Sequence, residues 1–152
     1  MSGSRTTLPR SCAGEAFSWL QIEAGSFISC EASTPLTRFD AGVDSSQDAI
    51  ERQSAKPAFQ VLIYPAIPKD MKLSKETPPA FLLCGENDRQ NISQGLPELY
   101  LSLKRAGASA ELHVYSGVGH GFGMRETLRG PVSLWTARFH EWLDARGLLK
   151  AK

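Results

Sequence analysis

From residue 57 onward, apolar and polar positions fall into blocks, each bounded by residues that end regular elements. The run 58–65 (AFQVLIYP) has the length and the β-branched and aromatic content of a strand, closed by Pro65. A loop holding Pro68, Pro78 and Pro79 leads to 80–84 (AFLLC), a short run stopped by Gly85, Glu86, Asn87 and Asp88. Its unbroken hydrophobicity predicts a strand covered on both faces, as in parallel sheets. Residues 91–107 carry Leu96, Leu99, Tyr100 and Leu103 at helical spacing, with Ser93 as a candidate cap and Gly107 as terminator. Residues 111–115 (ELHVY) alternate polar and apolar, as a half-covered edge strand does. After a glycine-rich turn, 117–123, the segment 131–149 places Trp135, Phe139, Trp142 and Leu143 on one helical face, between Pro131 at its start and Gly147 at its end.

This order of elements predicts an α/β fold: a short, mainly parallel sheet of about three strands flanked by helices, with right-handed helical crossovers. The earlier residues have no sustained period beyond a helical turn at 48–52, so residues 1–35 are expected to be irregular or replaced and 36–152 to form the domain.

Composition narrows the class of ligand. With 152 residues, 41% of them apolar, and a formal net charge of +1, the chain fits one domain without a field that would gather nucleic acid or an anionic membrane. No segment reaches the ~20 apolar residues of a membrane span, and the first residues lack the apolar stretch of a signal peptide. The expectation is a soluble, cytoplasmic protein with a small ligand. Cys12, Cys30 and Cys84 lack zinc or redox spacing and read as structural thiols.

In open α/β sheets, ligands sit beyond the carboxyl ends of the strands. Asp88 follows the second predicted strand and His120 the third, between two glycines. Neighbouring parallel strands lie ~4.8 Å apart, close enough for their loops to bring a carboxylate to an imidazole. Asp88 would then orient His120 as a base toward a hydroxyl. Glu86 is the alternative acid. Ser116 reads as a turn residue, His113 as a solvated side chain on its strand, and His140 as a structural residue beside the aromatic stripe, which itself reads as core.

Residues 79–88, 110–115 and 119–123, together with 38–42 and 56–65, resemble the acetyl xylan esterase-like branch of the α/β-hydrolases, near the dienelactone hydrolase group. The similarity spans roughly residues 38–149. It implies the C-terminal half of that fold, with the N-terminal half of the family sheet missing, and an ester-cleaving serine mechanism in which Asp88 matches the acid and His120 the base, with no metal or organic cofactor. The family's nucleophile lies in Gly-x-Ser-x-Gly on a strand-to-helix elbow, and no such motif is present. Gly107-Ala108-Ser109 lacks the second glycine, and Ser18 and Ser26 lack the small neighbours a tight turn needs.

Two functions therefore stand open. One is a carboxylic ester hydrolase for acetyl or other short acyl esters, with a small-molecule ester as its partner. The other is a non-catalytic remnant acting as an interaction module. In the second, the first predicted strand has lost its neighbour, and its bare edge is expected to drive homo-oligomer formation.

Overall fold

A computed structural model describes residues 56–149, the backbone of Phe27–Ser29, and a few positions between them. Four parallel strands form one sheet in the order β1 (Phe27–Ser29), β2 (Gln60–Ile63), β3 (Ala80–Gly85), β4 (Ala110–Tyr115). The three expected strands are present, and all pairings are parallel. The short β1 is the addition. It lies within the segment expected to be irregular, and it pairs Phe27↔Gln60 through Ser29↔Leu62. The edge of β2 that was expected to be bare is therefore covered over three residues. Three residues are too few to show a period, which is why the pattern did not reveal them.

Every residue of β2 and β3 is buried, so both faces of the sheet centre are covered. On one face, Phe59 and Phe81 meet Phe139 and Trp142 of the last helix, α3 (Trp135–Ala145), with ring centroids 5.4 to 5.9 Å apart in tilted or edge geometry. Leu96, Leu99 and Leu103 form the buried stripe of α2 (Gly95–Arg105), which packs on β3 and β4. Each fully buried leucine of this kind contributes ~2 kcal/mol relative to exposure.

The helix expected over 91–107 is two helices, α1 (Gln90–Ser93) and α2. Pro97 explains the break. In one continuous helix it would remove an interior hydrogen bond, whereas a restart at Gly95 puts it in the first turn, where no N–H partner is needed. Ser93 does not cap α2: its hydroxyl turns back to the carbonyls of Asp88 and Arg89, both at 3.3 Å. Gly107, at φ +80°, ends α2 as expected, with Ala108 N–H on the Leu103 carbonyl at 3.0 Å and Gly107 N–H on that of Lys104 at 3.1 Å. Pro131 opens a 3₁₀ turn, Pro131–Leu134, rather than α3 itself. Among the described residues, no helix is long and apolar enough to cross a membrane.

Candidate active site

The two groups picked from the sequence meet at the carboxyl end of the sheet. Asp88 follows β3 in a turn closed by its N–H on the Gly85 carbonyl at 3.3 Å. Its side chain is fully buried and its oxygens lie 2.9 and 3.1 Å from Nδ1 of His120. Oδ1 also accepts the Arg89 N–H at 2.7 Å, a second bond that restrains the carboxylate. A carboxylate only accepts, so Nδ1 carries the proton and Nε2 is the ring's acceptor. The imidazole is about a third exposed. Among the described residues, none forms a hydrogen bond with Nε2.

Backbone contacts set this geometry. Glu86 N–H bonds the Tyr115 carbonyl at 2.9 Å and Asn87 N–H the Val118 carbonyl at 2.8 Å, stitching the loop after β3 to the loop after β4. Gly85 makes the stitch possible: a Cβ there would collide with the Val118 carbonyl and come within 2.9 Å of the Gly119 carbonyl. Gly85 was read only as a strand stop, and nothing local in the sequence marks this close approach. Of the glycines flanking His120, Gly121 uses a left-handed backbone, φ +73°.

Tyr64 was also missed. It keeps the sheet ladder through its N–H on Leu83 at 2.8 Å, then takes φ +40°, a strained value for a bulky residue. The result is a buried ring set edge-on to His120 at 4.8 Å and to Phe122 at 5.0 Å. Asp88 thus holds one nitrogen of the imidazole while Tyr64 packs on its ring.

While Asp88 meets the imidazole, Glu86, the alternative acid, bonds elsewhere. It is exposed and accepts the Ser116 hydroxyl at 2.6 Å and the Gly117 N–H at 2.8 Å, which lower its pKa from the ordinary value. Ser116 is accordingly a turn residue. His113 is not solvated as expected: it is half-buried, bonded through Nε2 to Glu111 at 2.9 Å and lying 5.0 Å from the Phe81 ring. Cys84 is a buried free thiol whose pKa burial pushes up to about 11, with the charge of Asp88 adding to the effect. It is neutral and unreactive at ordinary pH. Cys12, Cys30, Ser18 and Ser26 lie outside the described residues. Among the described residues, no group of His, Cys, Asp or Glu is arranged to hold a metal ion.

A parallel sheet with an acid and then a histidine on adjacent carboxyl-end loops is the second half of an α/β-hydrolase. The profile of the dienelactone hydrolase family matches residues 43–145, and the chain belongs to that family. Among solved structures it is similar to an acetyl ester-xyloside bifunctional hydrolase from Caldicellulosiruptor lactoaceticus. That match has 26% identity and a TM-score of 0.64, over 75% of this chain and 52% of that one. It shares its fold with a Thermogutta terrifontis esterase (18%, TM-score 0.55, 77% and 52%) and with a carboxylesterase from Lactobacillus plantarum (16%, TM-score 0.52, 64% and 47%). The chain thus spans about half the length of these relatives. No curated protein matches it.

Proposed function

We propose that the chain carries out carboxylic ester hydrolysis on acetyl or other short acyl esters through a serine–histidine–aspartate mechanism. The Asp88–His120 pair carries this reading: a buried carboxylate on Nδ1 leaves Nε2 as the base. The relative with 26% identity is named for acetyl ester hydrolysis, which favours a short acyl group.

No serine hydroxyl among the described residues meets Nε2, so on this reading the nucleophile comes from outside them. A serine earlier in the chain than Asp88 gives the order serine, acid, histidine found across α/β-hydrolases. In the reaction, the serine hydroxyl attacks the ester carbonyl carbon while Nε2 of His120 takes its proton. Asp88 stabilises the imidazolium so formed. Collapse of the tetrahedral adduct breaks the bond to the alcohol, which leaves with the proton from Nε2. Water, deprotonated by the same nitrogen, then frees the acid from the acyl-serine.

Hydrolysis of p-nitrophenyl acetate by the pure protein tests this. The expected result is turnover that falls about 10³-fold or more in His120→Ala. Equal rates in the two proteins would overturn it. The missing Gly-x-Ser-x-Gly motif favours a second reading, a non-catalytic family member, and that outcome would support it.

A further inference from the structure

We propose that the free edge of β4 pairs with β4 of a second copy of this chain, antiparallel and centred on Leu112. Bare sheet edges invite such pairing. Among the described residues, β4 is the last strand of the sheet and nothing bonds its outer side. The strand contains no proline and no lysine, two of the usual guards. Val114 is 44% exposed on it, an apolar side chain without a cover.

The register follows from which groups point outward. Ala80 N–H bonds the Ser109 carbonyl and Glu86 N–H bonds the Tyr115 carbonyl, so the odd-numbered residues of β4 face β3. The N–H and C=O groups of Ala110, Leu112 and Val114 therefore face outward. In an antiparallel ladder, outward residues become the hydrogen-bonded pairs and the others lie opposite at closer range. A two-fold through Leu112 pairs Leu112 with itself and Ala110 with Val114 of the partner subunit, which makes an apolar strip on one face. On the other face, Glu111 lies opposite His113 of the partner subunit, and the reverse.

Charge selects this register over its neighbours. A two-fold through residue 111 sets carboxylate against carboxylate, and one through 113 sets ring against ring; like groups directly opposite destabilise a sheet. Within one copy Glu111 and His113 already bond at 2.9 Å, so the dimer closes a ring of alternating acids and imidazoles. The cations beside them on α3 are engaged elsewhere. Arg138 pairs with Glu141 at 2.7 Å, and Arg146 bonds the Ser109 hydroxyl at 2.8 Å and covers the Trp142 ring at 4.5 Å. This inference does not depend on catalysis.

Light scattering and sedimentation of the full chain test it, with circular dichroism as the check on folding. The expected result is a dimer that His113→Glu weakens about tenfold or more, since it sets two carboxylates opposite each other twice. The exchanged double variant Glu111→His, His113→Glu restores it. Leu112→Cys gives a second readout that does not rely on the charge change. Hydrogen-bonded antiparallel partners lie ~5.5 Å apart at Cα, within disulfide range, so mild oxidation yields a covalent dimer faster than in the parent, which keeps Cys12, Cys30 and Cys84. A monomer at all concentrations overturns the proposal. So does a dimer indifferent to His113→Glu that gains no cross-link from Leu112→Cys.

Discussion

At one edge of the sheet, β4 pairs with β3 over six residues, from Ala80↔Ala110 to Gly85↔Tyr115, and the loops beyond both strands are stitched together by backbone and side-chain bonds. At the other edge, β1 pairs with β2 over three residues. The first edge holds the proposed acid and base, and β1 at the second holds none of the described residues that touch them. The difference teaches where each part of the site draws its geometry. Asp88 and His120 are positioned by the loops between Gly85 and Gly123, with Tyr64 from the end of β2 packed on the imidazole. The β1 edge rests on a short ladder.

Breaking the first edge has the largest expected effect. Asp88→Asn keeps the shape but gives Nδ1 a partner that can force the wrong tautomer, and ester turnover is expected to fall about 10³- to 10⁴-fold with little change in substrate affinity. A parallel fall in stability large enough to unfold the protein would show that Asp88 is structural. Gly85→Ala attacks the stitch itself. The colliding atom is a backbone carbonyl, which cannot rotate away, so unfolding by urea is expected to show a loss of about 3 kcal/mol. An unchanged midpoint would mean that the two loops are not in contact.

Hydrogen exchange sharpens the contrast without substitution. Amides in the β3–β4 ladder are expected to exchange near the global limit, whereas those between β1 and β2 open more readily. Equal protection at both edges would contradict the comparison. The smallest effect concerns Glu86. Its folded pKa lies below the ordinary value of 4.5, chiefly because of the Ser116 hydroxyl and then the Gly117 N–H. A depressed carboxyl contributes stability above its unfolded pKa and loses it as pH falls through the folded one. Glu86→Gln is therefore expected to lower Tm slightly at neutral pH, the gap closing below pH 4.5. Because Glu86 is exposed, the shift is small. A gap that widens in acid would reverse the assignment.

Much of this was legible in the chain. The runs at 58–65, 80–84 and 111–115 are strands because their period and length admit little else, and Asp88 and His120 were found by asking which titratable groups follow strand ends. What escaped detection depends on contacts distant in sequence. Gly85 matters because Val118 crosses above it, thirty-odd residues later. The strained Tyr64 is held by packing on His120 and Phe122. His113 looked solvated because alternation alone places it on the open side of a strand, and only the position of α3 shows that this face is covered. The break between α1 and α2 was readable in Pro97, whose cost inside a continuous helix outweighs the leucine period that spans it.

Fluorophosphonate labelling followed by peptide mapping tests the central claim most directly. The reagent reacts with a serine activated by a histidine base, so the expected result is modification of one serine in the parent and none in His120→Ala. A folded protein that takes up no label, or label that persists in His120→Ala, would contradict the account.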